Sequence, residues 1–162
     1  MKNETLLLFQ AHINDPDIQN NKIILNYFLN EECFSNHNAH YDNFSEVDYS
    51  SDKIQYILIK PAIYNTKLTI RINNKNYHVL SMMRVDYDND KATIWNVCTS
   101  KLNRGNKYFT KMFNMFLQNV TEIDNIYLYV KKNARKTISL YTHIGFKIID
   151  EKDDKFYMKL NL

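Results

Sequence analysis

The chain has two glycines, and both stand where a reaction could use them. Gly105 lies in Leu102-Asn-Arg-Gly-Asn-Lys-Tyr-Phe109, between the expected end of a strand and the start of a helix. A junction of that kind exposes unbonded first-turn N–H groups and the positive end of the helix dipole. It is suited to a phosphate, and glycine lets the backbone come close. Lys101, Arg104, Lys107 and Lys111 surround it in sequence. The plainer reading is a turn residue. Gly145 lies in Leu140-Tyr-Thr-His-Ile-Gly-Phe146, where a helix gives way to a strand, and a helix-ending cap is its ordinary role. Tyr141 stands four residues before it. A phenol can donate a proton, although one of 12 tyrosines on a helix face is more often core.

Other reactive types are less organised. Cys33, His37 and His40 form a Cys-x3-His-x2-His run of zinc-capable groups, but no fourth ligand is near and no metal is expected. Cys98 has no His or Asp pattern around it and reads as a small core residue. With only two cysteines a disulfide framework is excluded, and Cys33 and Cys98 are expected as free thiols in a reducing, cytoplasmic compartment. Trp95, Met82 and Met83 read as core or pocket wall, and His143 as exposed. Lys131, Lys132, Arg135 and Lys136 read as a solvated cluster.

The elements that must position these groups follow from periodicity. Thr5–His12 reads as a strand. Asp15 as N-cap and Pro16 at the first helical position start a helix that runs to Glu31 and Glu32. The polar, acidic segment from Glu31 to Asp52 reads as a long loop. Ile54–Ile59, Lys67–Ile72, Tyr77–Tyr87 and Ala92–Thr99 read as strands joined by tight turns at Asn73–Asn76 and Asp88–Asp90, an antiparallel meander. Tyr108, Met112, Phe113, Phe116, Leu117 and Val120 keep helical spacing. Ile126–Val130 is a strand, Ala134–Ile144 a helix, and Lys147–Asp150 with Lys155–Leu160 a closing hairpin. The order predicts an α/β fold, an α+β packing on a mixed sheet.

Composition bounds the rest. At 162 residues and 44% hydrophobic content the chain is one domain's worth and can bury a core. Residues 1–100 hold 9 basic against 12 acidic side chains, and residues 101–162 hold 12 against 6, within a total of +3. The basic part suits an anionic ligand of phosphate type. A total of +3 does not argue for nucleic acid, which is not an expected partner. The apolar run near the N-terminus is four residues long, too short for a signal core or a membrane span.

Residues 92–162 resemble the catalytic core of the Gcn5-related N-acetyltransferase (GNAT) family. Three pieces carry the likeness. Ile94–Ser100 followed by Leu102–Phe109 and a helix resembles the family's central strand and its Arg/Gln-x-x-Gly-x-Gly/Ala pyrophosphate loop. Tyr127–Val130 and Asn133 resemble the next strand and its Asn, and Leu140-Tyr141-x-x-x-Gly145-Phe146 is close to the Leu-Tyr-x-x-x-Gly-Phe signature.

The resemblance implies a single GNAT-like domain, with 1–91 on the acceptor side and 92–162 binding acetyl-CoA where two neighbouring parallel strands splay. It implies that Val97, Cys98 and Thr99 hold the pantetheine arm by their backbone. It implies that Arg104, Gly105, Asn106, Lys107, Tyr108 and Phe109 cradle the pyrophosphate, that Asn133 hydrogen-bonds the cofactor, and that Tyr141 is the general acid. Lys131, Lys132, Arg135 and Lys136 gain an alternative role, a contact to the adenosine 3′-phosphate.

Aligned on Arg104, the loop's two small positions fall on Lys107 and Phe109, so Phe109 is expected to narrow the approach to phosphate. Thr93 stands where many members place a Glu base, leaving Asp86, Asp88, His78 or a water chain. The implied reaction is acetyl transfer from acetyl-CoA to a primary amine in a ternary complex. The acceptor would be a protein lysine, an N-terminus or a small polyamine-like amine, and the acidic loop suggests a cationic one. The alternative is a catalytically degenerate binding module of the same fold. A homodimer is possible by the same likeness.

Overall fold

The computed structural model describes residues 3–34, 44 and 52–162. His37 and His40 of the zinc-capable run, and Asp42, Glu46 and Asp48 of the acidic loop, lie outside the described residues. Eight strands form one sheet: β1 Leu7–His12, β2 Asp52–Pro61, β3 Thr69–Ile72, β4 Lys75–Asp88, β5 Lys91–Thr99, β6 Asn125–Lys131, β7 Lys147–Lys152 and β8 Lys155–Asn161. Their order is β1-β2-β4-β5-β6-β8-β7, with β3 paired to β4. Every pairing is antiparallel except β5 with β6. The mixed sheet agrees with the sequence reading.

The meander needs one correction. β2 pairs with β4 and skips β3. Ten residues of β2 match the long β4, while β3 offers only four and folds back on the first residues of β4 as a hairpin arm. The hairpin turn itself is tight. Asn73 and Asn74 both have positive φ, +48° and +62°, as a two-residue primed turn requires.

Helices cover both faces. α1 (Pro16–Tyr27) begins as expected, with Asp15 accepting from the Asp17 N–H at 2.8 Å. It continues into a π-helical turn, Phe28–Cys33, so the loop expected from Glu31 starts later. Ile18, Leu25, Phe28 and Leu29 are buried with Ile57, Val79 and Met82 on that side of the sheet. On the opposite side α2 (Tyr108–Asn119) buries Tyr108, Phe109, Met112, Phe113 and Phe116. This spacing is one helix stripe, and each fully buried large side chain contributes ~1.5–3 kcal/mol. α3 (Arg135–Ile144) lies on the same side and buries Tyr141.

Gly145 ends α3 with φ +119°. Its N–H and that of Phe146 both donate to the Tyr141 carbonyl, at 3.2 and 3.0 Å. The chain turns sharply, and the Phe146 ring comes to 5.8 Å from the Tyr141 ring. A Cβ at Gly145 would meet the Leu160 Cδ1 at 3.1 Å in a backbone region that L-residues avoid. Gly145→Ala is therefore expected to cost about 2 kcal/mol, a fall in Tm of roughly 4–8 °C. An unchanged melting curve would contradict a strained cap.

Candidate active site

The site begins where β5 and β6 part. Parallel pairing runs from Lys91 with Asn125 to Ile94 with Leu128 and then stops. On the other edge of β5 the register to β4 shifts between Met82 and Arg84, and Asn96 takes φ +51°. Asn tolerates that conformation, and the extra residue bends the strand. Beyond this bulge β5 leans away from β6. The expected splay of the central pair is present.

A cavity of about 810 Å³ fills the opening. Its walls include Trp95, Asn96 and Val97 of β5, Tyr129 and Lys131 of β6, Asn133, and Thr137 and Tyr141 of α3. Cys33 and Phe34 reach it from the α1 side. The opening thus joins the two faces of the sheet. Its volume suits a cofactor-sized ligand. Tyr141 is 5% exposed. Its ring packs edge-on to Phe109 at 5.8 Å, and its hydroxyl makes no hydrogen bond among the described residues. Burial pushes its pKa up to about 12. It therefore stays protonated at neutral pH.

A second cleft, about 240 Å³, adjoins the start of α2 and is lined by Thr99, Arg104, Gly105, Lys107, Tyr108, Phe109 and Leu140 among others. The first helix-type bond here is from the Lys111 N–H to the Lys107 carbonyl. Among the described residues, the N–H groups of Gly105 to Thr110 have no protein acceptor, which is the anion-binding arrangement of a helix start. Lys107 is left-handed at φ +58°. That is a backbone conformation glycine adopts most readily.

Phe109 lines the cleft while its ring packs into the core, 6% exposed, stacked on Phe113 and against Tyr141. Asn106 donates to the Asn103 carbonyl and shapes the loop. The Arg104 guanidinium is held by two backbone carbonyls. It donates to the Glu32 carbonyl at 2.6 Å and the Thr99 carbonyl at 3.3 Å. Glu32 in turn accepts from the Lys101 N–H at 2.6 Å. These bonds tie the loop to the end of the π-helical turn.

The free-thiol expectation fails. Cys33 and Cys98 form a disulfide, with Cα atoms 5.9 Å apart. The π-helical extension of α1 carries Cys33 over β5, and Cys98 points to that face. The pairing also removes cysteine usage as an argument for a reducing compartment. No helix among the described residues is long and apolar enough to cross a membrane.

The three base candidates lie apart from Tyr141, and none lines its cavity. Asp86 is opposite Thr93 and is held by Arg84 at 2.8 Å. Asp88 is exposed at the far end of β4 and accepts from Asn89. His78 belongs to a separate cavity of about 400 Å³ with Lys60 and Tyr64. Burial, and then the Lys60 charge, lower its pKa. Close by, Glu4 accepts from the Tyr108 hydroxyl at 2.8 Å and pairs with Lys60 at 2.9 Å, clamping the N-terminal segment to the start of α2. These two hydrogen bonds, Lys60 first, hold the Glu4 carboxyl below its ordinary pKa.

No protein-family model matches the sequence, and no curated protein matches it. Solved structures do. An acyl-CoA N-acyltransferase from Pseudomonas aeruginosa superposes with a TM-score of 0.67 at 15% identity, over 96% of this chain and 99% of that one. The PaiA N-acetyltransferase from Thermoplasma acidophilum, solved with coenzyme A, gives 0.66 at 10% identity over 98% and 99%. The Campylobacter jejuni N-acetyltransferase PseH gives 0.61 at 13% identity over 96% and 98%. The chain has the GNAT-type acyl-CoA N-acyltransferase fold.

Within this acyltransferase fold the residues named from sequence separate into three groups, apart from Asn106, which bonds to the Asn103 carbonyl within the loop. Val97, Asn133 and Tyr141 share the large cavity. Thr99, Arg104, Gly105, Lys107, Tyr108 and Phe109 share the cleft at α2. The Cys98 side chain is taken by the disulfide and leaves only its backbone to the strand. Sequence reasoning missed Asn96, Thr137 and Tyr129 as cavity wall. Thr137 was findable, since it lies one helical turn before Tyr141. Asn96 and Tyr129 gave no such signal.

Proposed function

We propose that the protein is an N-acetyltransferase that moves acetyl from acetyl-CoA to a primary amine by direct attack in a ternary complex. One observation carries the reading: a largely buried tyrosine, its hydroxyl unbonded among the described residues, lines a through-sheet opening beside a helix start with unbonded N–H groups. Acetyl-CoA supplies the activated acyl group as a thioester. The N–H groups of Gly105 to Thr110 would bind its phosphates, with Lys107 adding charge. The splayed edge of β5 at Val97 to Thr99 would align its arm, and Asn133 lies on the same path. Tyr141 would give its proton to the departing sulfur. The amine's own proton would leave through water, because the described cavity wall has no carboxylate or imidazole.

That same bare wall favours a second reading, a binding module that holds the ligand without turnover. Thermal unfolding with acetyl-CoA tests the cofactor site common to both. A hundredfold excess over Kd adds about 2.7 kcal/mol, a rise in Tm of roughly 5–11 °C. No rise at millimolar acetyl-CoA would end the enzyme reading. A rise without transfer to any amine in a broad screen would leave the binding module.

A further inference from the structure

On the α1-side face of the sheet no described helix lies over β6, β8 and β7, and the side chains there lie in ordered rows. One row is Lys131–Lys155–Lys152, directly opposite one another across the three strands. The next is Tyr129–Tyr157–Asp150, and the third is Tyr127–Lys159–Lys147. Like charges directly opposite are destabilising in a sheet. None of these five lysines forms an ion pair with a described carboxylate. The carboxylates on this face are few. Asp86 is taken by Arg84, Asp88 sits at the strand end by Lys91, and Asp150 accepts from the Glu151 N–H.

The tyrosines do not offer ring faces to a ligand. Tyr129 and Tyr157 stack at 4.6 Å, Tyr127 and Tyr157 at 5.4 Å, and Trp95 stacks on Tyr129 at 5.6 Å. Lys91 and Lys159 lie over Tyr127 at 6.0 and 5.8 Å. A planar group finds no vacant platform. What remains is an array of ammonium groups and ring edges, with lysine rows about 13 Å apart along the strand. Lysine serves phosphate well as a point charge. The first row also reaches the reaction cavity, because Lys131 and Lys155 line it together with Trp95 and Tyr129, across from Tyr141.

We infer that the amine acceptor carries a phosphate, which docks on the Lys131–Lys155 row while the amine reaches into the cavity. The inference rests on the acetyltransferase reading. It departs from the cationic acceptor suggested by the acidic segment, because the described mouth of the cavity is basic.

The test titrates inorganic tripolyphosphate into protein saturated with acetyl-CoA, by calorimetry. The wild type should bind saturably and lose affinity with salt. Lys131→Glu with Lys155→Glu should weaken binding at least tenfold, and Lys75→Glu should not. The double variant should melt close to the wild type, because it leaves a like-charge pair at 131 and 155 but makes the contact of 155 with Lys152 an opposite-charge one. In turnover, O-phosphoethanolamine should exceed ethanolamine at least tenfold in kcat/KM, and the double variant should erase that preference.

Equal binding by wild type and double variant, or no binding, overturns the inference. So does tenfold tighter binding of a single-stranded oligonucleotide, which would make the face a nucleic-acid surface. Failure of the enzyme reading looks different. Acetyl-CoA then gives no thermal shift, and the acceptor claim falls with it, while lysine-dependent tripolyphosphate binding would still register.

Discussion

Tyr141→Phe is expected to lower acetyl transfer by about 10²–10⁴-fold, the usual contribution of a positioned general acid. Affinity for acetyl-CoA and Tm at neutral pH should stay as they are. The ring contacts to Phe109 and Phe146 survive the change, and the lost hydroxyl has no hydrogen bond among the described residues to leave unsatisfied. Burial sets the pH behaviour. With a pKa of about 12 the hydroxyl keeps its proton throughout the range in which an amine becomes a free base. Transfer should therefore rise with pH as the acceptor loses its proton, without an alkaline fall from Tyr141 below about pH 11.

Stability carries a second signature of the same group. The folded pKa lies above the unfolded value of 10, so the folded state holds a proton that the unfolded chain releases. The stabilisation is complete below pH 10 and is lost as pH rises towards 12, on the order of 3 kcal/mol from this group. Tyr141→Phe should reduce that alkaline slope. Full transfer activity in the variant would remove Tyr141 from the mechanism, whatever the slope does.

Opening the Cys33–Cys98 bond is expected to have the largest effect on stability. The bond closes a loop with a sequence separation of 65. On the chain-entropy model such a closure contributes about 4 kcal/mol, so reduction or the Cys33→Ala/Cys98→Ala pair should lower Tm by roughly 8–16 °C. The loss should fall on the joint between the π-helical turn and β5. Arg104, Glu32 and Lys101 would then hold that joint by hydrogen bonds alone. Thermal unfolding with and without reductant, beside the intact mass of the non-reduced chain, decides the matter. Two free thiols and an unmoved melting curve would rule the bond out.

Much of this arrangement could be read from residue order, where one residue type has one good use. Pro16 after Asp15 starts α1. Asn73-Asn74 turns the hairpin. Gly145 after an apolar helix stripe ends α3 and sets Tyr141 against Phe146. The splayed strands and the loop at Gly105 came with a resemblance of motifs.

What stayed hidden depends on contacts between distant segments. Nothing local says that β2 skips β3, because strand length decides the match only after both strands form. Nothing local brings Cys33 to Cys98, since a π-helical extension must first carry one over the other. The lysine rows are invisible in a linear chain, because Lys131, Lys155 and Lys152 align only once β6, β8 and β7 are in register. The packing of the Phe109 ring was hidden too, because the direction of a first-turn side chain depends on the left-handed Lys107 before it.

The four parallel rungs between β5 and β6 have a mechanical meaning. An ordinary sheet frays from its outer strands, where ladders have one neighbour, and is firmest in the middle. Here the middle is a short seam between two half-sheets, each stitched internally by longer ladders: ten rungs between β2 and β4, and seven between β6 and β8. Slow local opening should begin at this seam, among amides past Ile94 and Leu128, rather than at β1 or β7. Whatever lies in the gap touches both half-sheets, so occupancy there acts as a wedge glued on both sides, and the protein is stiffened from its centre outward.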